Sequence, residues 1–149
     1  MRGRSRAELE EKLAGKGFGP EETDASLQKL ERLGYIDDSA LAAALSRHAR
    51  ETRRLGKKGA FRFLLGRGIP AGLALDALAG YDEFEGAGAL ARKKLFGAPS
   101  NSTERQKKDP AAARRRLYAA LARRGYSEET IRKVLSTIRG QRDKGGALK

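Results

Sequence analysis

The 149-residue sequence contains no cysteine and only one histidine, His48. The lack of thiols excludes a disulfide framework, a thiol nucleophile and thiolate metal ligands, and a single imidazole cannot form a multi-histidine zinc site. No apolar run approaches the ~18 residues that a membrane-spanning helix needs, and no apolar segment of a secretory signal follows the basic N-terminus. These absences predict a soluble cytoplasmic protein without a metal or other cofactor.

Acidic residues are scarce relative to basic ones, with 19 Asp and Glu against 32 Lys and Arg, a net charge of +13. The excess is uneven: residues 1–100 carry 18 basic and 14 acidic side chains (+4), whereas residues 101–149 carry 14 and 5 (+9). A small domain usually has a net charge of magnitude ~2–8. The balance therefore predicts a polyanionic partner, most often nucleic acid.

Alternation of apolar and polar residues over strand length is also missing, and every apolar segment has the period of a helix. Ser5 begins a capping box, Pro20 and Pro70 suit helix starts, and Ser127 suits the start of the last helix. The pattern predicts an all-α protein of about eight helices, with a polar linker at 97–108 and a disordered tail at 140–149.

An internal repeat is anchored on Gly17, Gly68 and Gly125. At each anchor a leucine lies four residues before the glycine, a bulky apolar residue lies one after it and another leucine lies ten after it (Leu13, Phe18, Leu27; Leu64, Ile69, Leu78; Leu121, Tyr126, Leu135). This spacing predicts tight helix-turn-helix corners in which the glycine is left-handed. The fold class is tandem three-helix, helix-turn-helix-like repeats: 1–34 (lacking its first helix), 35–80 and 81–139.

Few side chains suit catalysis. His48 is the single histidine, so it has no second imidazole to work with. The Asp37-Asp38 pair is better explained as a helix start, and Asp82-Glu83 has the same explanation because it follows the same pattern in the next repeat. Glycine-rich phosphate-binding motifs are absent. The sequence therefore predicts a protein that is not an enzyme.

Three basic clusters are the candidate nucleic-acid or filament contacts. They comprise Arg47, Arg50, Arg53, Arg54, Lys57, Lys58 and Arg62; then Arg92, Lys93 and Lys94; and then Arg114, Arg115, Arg116, Arg123 and Arg124 with Tyr118, followed by Arg132 and Lys133. Arginines beside a tyrosine suit phosphate contacts and base stacking. The alternative is a solvated charged face, which suits 114–124 poorly because that segment holds five arginines and no acid.

Sequence-specific base recognition is not expected at the corners. The helices that follow two of the glycines begin with carboxylates, at Glu21-Glu22 and Glu128-Glu129, which repel phosphate. Binding is therefore expected to depend on the nucleic-acid backbone, to tolerate any sequence and to weaken with salt.

Four segments carry a resemblance to a known family: SRAELEEKLAGKGF, LERLGYIDDSALAAALSRHAR, LARKKL and RRRLYAALARRGYSEETIRKVL. Together they resemble the RecX family of bacterial regulatory proteins over roughly residues 5–139. The resemblance implies a curved, elongated helical array that binds the RecA recombinase filament and DNA and inhibits RecA ATPase and strand exchange. Family members usually have a further helix before the first of these segments, and the middle repeat has fewer charges than expected.

Two other classes of protein also fit the sequence. One is a sequence-tolerant DNA- or RNA-binding helical module unrelated to RecA. The other is an adaptor that binds helices through exposed apolar corners such as Phe61 and Phe63.

Overall fold

The computed structural model describes residues 3–96 and 109–147. Within these ranges it contains eight helices and no strand: α1 (Arg6–Gly15), α2 (Pro20–Arg32), α3 (Asp38–Glu51), α4 (Lys57–Gly66), α5 (Ala71–Ala77), α6 (Phe84–Phe96), α7 (Pro110–Arg123) and α8 (Glu128–Ala147). The all-α prediction is confirmed. The predicted polar linker at 97–108 lies outside the described residues. None of the eight helices is both long and apolar enough to cross a bilayer.

Helices begin where short polar side chains and prolines predict. The Ser5 hydroxyl accepts a hydrogen bond from the Glu8 amide at 3.1 Å, and the Glu8 carboxylate accepts one from the Ser5 amide at 3.0 Å, which completes a capping box. Asp37 accepts from the Ala40 amide at 3.0 Å and so caps α3, and Asp109 caps α7. Each cap satisfies amide groups that the first turn leaves without a helical partner.

The three glycine corners have the same backbone geometry. Gly17, Gly68 and Gly125 have φ of +91°, +82° and +85°. At every corner the amide after the glycine donates to the carbonyl of the leucine four residues before it (Phe18 to Leu13 at 3.2 Å, Ile69 to Leu64 at 3.1 Å, Tyr126 to Leu121 at 3.2 Å). This is the Schellman pattern of a helix that ends on a left-handed residue. The predicted corners are confirmed.

The chain divides into two compact lobes. Lobe 1 contains the described residues of Met1–Ala49 and Ala60–Gly80, and lobe 2 contains those of Arg50–Gly59 and Tyr81–Lys149. The boundaries of the three predicted repeats remain predictions.

Lobe 1 has its apolar core between α3, α4 and α5, built from Leu41, Ala42, Leu45, Leu64, Ile69 and Ala74. Phe61 and Phe63 are partly buried against this core. The expectation that these two rings form exposed apolar corners is therefore wrong: both pack against the core, although they lie about 200° apart around α4. His48 lies beside Phe63, with ring centroids 6.2 Å apart.

Helix α1 buries none of its residues and is held by polar contacts instead. The Arg6 guanidinium pairs with Asp24 at 2.7 Å and with Glu31 at 2.6 Å, while the Arg6 amide donates to Asp38 at 2.9 Å. Arg67 pairs with Glu8 at 3.2 Å. These contacts fix α1 against α2, α3 and the α4–α5 corner of the same lobe.

Lobe 2 packs α6, α7 and α8 around a second core. Its buried members are Ala87, Leu90, Ala91, Leu117, Leu121, Tyr126, Ile131, Val134 and Leu135. Leu117 and Leu121 form one stripe of α7, so the opposite side of that helix is left to solvent.

Helix α8 continues to Ala147, which differs from the disordered tail predicted at 140–149. Residues 141–144 are Gln-Arg-Asp-Lys, three of which are strong helix formers. Extending an existing helix also avoids the cost of nucleating a new one. Glycine has low helix propensity, so the glycines of this stretch predict an earlier end of the helix than the structure shows.

Candidate nucleic-acid and filament interface

The connector between α3 and α4, residues Arg50–Gly59, pairs with the α7–α8 corner within lobe 2. The Gly56 amide donates to the Arg124 carbonyl at 3.0 Å, and the Lys58 amide donates to the Gly125 carbonyl at 3.2 Å. A Cβ atom on Gly56 would lie 2.2 Å from the Tyr126 nitrogen. The two backbones therefore approach at a distance that only glycine permits.

Three side chains fasten the connector to the rest of the lobe. The Tyr126 hydroxyl donates to the Arg54 carbonyl at 2.7 Å, the Tyr81 hydroxyl donates to the Leu55 carbonyl at 2.7 Å, and the Arg124 guanidinium donates to the Arg53 carbonyl at 2.6 Å. Burial raises the pKa of both Tyr81 and Tyr126 to about 12. Both phenols therefore remain neutral donors at neutral pH.

Backbone strain marks the middle of the connector. Among the described residues other than glycine, Arg54 alone has a positive φ, +51°. A left-handed residue with a Cβ costs roughly 1–2 kcal/mol. The bond from Tyr126 to the Arg54 carbonyl holds this conformation, and the Arg54 side chain is left exposed.

A carboxylate joins the connector to α8. Glu83 accepts from the Lys57 amide at 2.7 Å, from the Ser127 amide at 3.0 Å and from the hydroxyls of Ser127 and Thr130. Burial alone raises the pKa of Glu83, but these hydrogen bonds outweigh it and leave the pKa below its ordinary value of 4.5. Glu83 thus serves the first turns of both α4 and α8, a wider role than the local helix start that the sequence predicts.

Replacing Glu83 with glutamine is expected to destabilise the protein by about 1.5–3 kcal/mol at pH 7, because an amide NH₂ would then face hydrogen-bond donors. The unfolded carboxyl titrates near 4.5 and the folded one lower. The stabilisation is therefore complete above pH 4.5 and is lost as the pH falls through the folded pKa. Urea unfolding of both proteins from pH 7 to pH 3 should show the difference shrinking below pH 4.5.

The control for that experiment is Glu85→Gln, because Glu85 is an exposed neighbour with no hydrogen bond or ion pair within the described ranges. It should change the free energy of unfolding by less than about 0.5 kcal/mol. Equal effects of the two substitutions at every pH would contradict the role assigned to Glu83.

Pairing of the connector with the corner brings parts of two predicted basic clusters together. Arg53, Arg54, Lys57 and Lys58 are exposed on the connector and the start of α4, and Arg123 is exposed at the end of α7. Arg124 is half-buried and positions the connector through its bond to Arg53. We call these six residues the connector surface.

A second surface runs along the solvent side of α7. It consists of exposed Arg114, Arg115, Arg116, Tyr118 and Arg123, and we call it the α7 surface. Helix α7 itself contains no acidic residue. None of its four arginines pairs with a carboxylate in the part of the chain that the structure describes. The α7 surface is thus positively charged without local compensation.

Other predicted cations are compensated. Arg132 pairs with Glu128 at 2.5 Å and Lys133 pairs with Glu129 at 3.1 Å, both one helical turn apart. Arg50 pairs with Glu51 at 3.3 Å. Exposed pairs of this kind contribute only about 0.2–1 kcal/mol to stability, but they reduce the net charge offered to a partner.

The remaining predicted cations lie elsewhere. Arg47 and Arg62 are exposed on the lobe 1 parts of α3 and α4, and Arg92, Lys93 and Lys94 are exposed on α6 of lobe 2. Their role in binding remains a prediction. Within the described ranges no group of three or more His, Asp or Glu side chains could hold a metal ion.

Sequence reasoning missed the fastening residues of the connector. Tyr126 occupies the bulky apolar position that follows Gly125 in the repeat, and Tyr81 follows the second corner. The repeat does not reveal that their hydroxyls reach a connector more than twenty residues away in sequence.

These features define a class of all-helical proteins with repeated glycine corners and an exposed arginine surface. The family model for the third three-helix domain of RecX matches residues 81–135, and that for the first three-helix domain matches residues 1–30. The regulatory protein RecX of Chlorobaculum tepidum is 31% identical over 140 residues, which cover 94% of this chain and 82% of that protein. The chain belongs to the RecX family.

Further relatives agree with this assignment. The regulatory protein RecX of Mycobacterium leprae is 34% identical over 137 residues, covering 90% of this chain and 77% of that protein. The crystal structure of RecX from Lactobacillus salivarius superposes with a TM-score of 0.78 at 24% identity, covering 91% of this chain and 86% of that one. At this identity the structural match shows the fold alone.

Proposed function

We propose that this chain is a non-enzymatic regulator that binds RecA recombinase filaments and DNA and inhibits RecA ATPase and strand exchange. Membership of the RecX family supports the regulatory role, since the similar proteins are named regulatory proteins. The observation that carries the binding part is the α7 surface, where four exposed arginines have no carboxylate partner among the described residues.

The chemistry of these side chains suits both partners. A guanidinium presents a planar fork of donors that matches a phosphate or a carboxylate, and it keeps its charge at any physiological pH. An exposed arginine without a partner loses no ion pair when it binds. The same surface could therefore hold DNA phosphates or an acidic face of the filament.

Binding to DNA should depend on the backbone rather than on base sequence. The first turn of α8 begins with Glu128 and Glu129, which already pair with Arg132 and Lys133. Carboxylates at that end of a helix oppose its entry into a groove lined by phosphates. The chain would then regulate RecA by occupying part of the filament surface or of the DNA, through steric hindrance and charge.

Strand exchange by RecA tests this proposal. Adding the chain at one molecule per ten RecA protomers should inhibit formation of joint molecules, with RecA and DNA held constant. The chain should also co-sediment with RecA filaments assembled without DNA, because the filament is a partner in its own right. Inhibition of strand exchange without such co-sedimentation would favour the DNA- or RNA-binding module unrelated to RecA.

A further inference from the structure

The four tyrosines of the chain fall into different environments. Tyr81 and Tyr126 are partly or fully buried and donate to connector carbonyls, so both have structural roles. Tyr118 is 39% exposed and has no hydrogen bond or ring contact among the described residues. Tyr35 is 78% exposed and lies in lobe 1 outside the basic clusters. Tyr118 is the tyrosine whose ring is both accessible and surrounded by cations.

The neighbours of Tyr118 on α7 leave its ring open. Arg114 and Arg115 lie four and three residues before it, on the same helical surface. Ala122 lies four residues after it and is exposed, and Ala119 beside it is exposed as well. Alanine side chains are too short to cover an aromatic face. The ring therefore has arginines on its N-terminal side and only short alanine side chains of α7 on its C-terminal side.

The arginines of α7 extend past the ring along the helix axis. Arg115 and Arg123 are eight residues apart, about 12 Å at 1.5 Å per residue, but Arg123 follows Tyr118 by five residues, about 140° around the helix. A strand with a base at Tyr118 therefore has Arg114 and Arg115 on one side of that base and meets Arg123 only where it crosses the helix. Cationic residues with an interleaved aromatic ring are the features that bind single-stranded nucleic acid without sequence preference.

We propose that Tyr118 is a stacking platform for an unpaired base, so that the α7 surface prefers single-stranded DNA over duplex. This rests on the DNA binding proposed above. A base in a duplex is already stacked on both faces and cannot cover the ring, whereas a base in a single strand can. The arginines contact phosphates of either form of DNA. Tyr118 therefore accounts for the preference for single strands, and the arginines account for the binding that both forms share.

The test measures binding of an oligo(dT), of an abasic oligonucleotide of the same length and of a duplex of that length, all at 0.1 M salt. Tyr118→Ala should weaken binding to oligo(dT) by about 5- to 150-fold, the range for loss of one stacked base. Its binding to the duplex and to the abasic strand should change less than twofold. Tyr118→Phe should bind oligo(dT) like the parent, because phenylalanine keeps the aromatic face.

Two further variants control for folding and for surface tyrosines in general. Tyr118→Leu keeps apolar contacts but has no π-face, so it should lose oligo(dT) binding as Tyr118→Ala does while its thermal melting stays unchanged. Tyr35→Ala removes a more exposed ring outside the basic clusters and should leave all three affinities unchanged.

The outcomes separate this inference from the proposed function. If the parent binds neither oligo(dT) nor duplex at 0.1 M salt, the proposed DNA binding is wrong and the stacking site is wrong with it. If the parent binds both and Tyr118→Ala leaves oligo(dT) binding intact, or weakens all three ligands equally, DNA binding stands and the stacking platform is overturned. Loss of oligo(dT) binding in Tyr118→Phe would point to the hydroxyl and would also overturn stacking.

Discussion

Replacing Gly125 with alanine is expected to cause the largest loss of stability of any single corner substitution. Gly125 has a φ of +85°, where a side chain costs roughly 1–2 kcal/mol. Its new Cβ would also lie 2.1 Å from the Gly59 nitrogen and 2.6 Å from the Gly59 Cα, so the connector would have to move. Overpacking of this kind adds about 1–3 kcal/mol. Thermal and urea unfolding should together show a loss of about 2–5 kcal/mol.

Gly17 provides a matched control for Gly125. It ends α1 in the same left-handed conformation, with a φ of +91°, but a Cβ there would meet no atom within 4 Å. Gly17→Ala should therefore cost only the conformational part, about 1–2 kcal/mol. If both substitutions cost the same, contact between the connector and the α7–α8 corner adds nothing to stability, which would contradict the packing described for lobe 2.

Reversing charge on the α7 surface is expected to cause the largest loss of DNA binding. The variant replaces Arg115, Arg116 and Arg123 with glutamate and leaves Arg124, which holds the connector, unchanged. Each phosphate contact is worth about 1 kcal/mol in water, so loss of three predicts roughly 100-fold weaker binding. The log–log salt slope should fall by about 0.7–0.9 for each lost contact. Helix content should survive, because both residue types are good helix formers.

The control variant makes the same change in net charge in lobe 1, away from the α7 surface. Lys12, Lys29 and Arg32 are exposed in lobe 1 and lie outside the predicted clusters. Replacing these three with glutamate should weaken DNA binding only a few-fold and leave the salt slope nearly unchanged. Equal losses in both triple variants would mean that overall charge, and not the α7 surface, governs binding.

Local signals were sufficient to predict most of the helical framework. A leucine four residues before each glycine predicts the Schellman corner, because the backbone bond that closes it is local. The structure confirms these bonds at Gly17, Gly68 and Gly125. The repeat predicts less well what each corner residue packs against: Ile69 and Tyr126 are buried, but the equivalent Phe18 is 51% exposed.

Contacts distant in sequence were not predictable. Pairing of Gly56 with Arg124 joins residues that no periodicity connects, and it decides which basic residues share a surface. Glu83 was predicted as a helix start, but it accepts from Lys57 and Ser127 as well. A capping pattern in the sequence refers to a single helix. It therefore cannot identify a carboxylate that accepts hydrogen bonds from the starts of two other helices.

The charge compensation of α8 could have been predicted more sharply. Glu128 and Arg132, like Glu129 and Lys133, are four residues apart, the spacing that forms ion pairs on a helix. A plain count of basic residues does not distinguish Arg132 and Lys133 from the arginines of α7. A search for an acidic residue four positions away does, because Arg132 and Lys133 have one and the arginines of α7 have none within their helix.

ATP turnover by preformed RecA filaments on single-stranded DNA tests the central claim most directly. The parent chain, added at one molecule per ten RecA protomers, should lower turnover, and electron microscopy in parallel should show shorter or fewer filaments. The α7 triple variant should lower turnover much less, whereas the lobe 1 triple variant should act like the parent. Turnover inhibited equally by all three proteins would contradict the claim that the α7 surface carries the regulation.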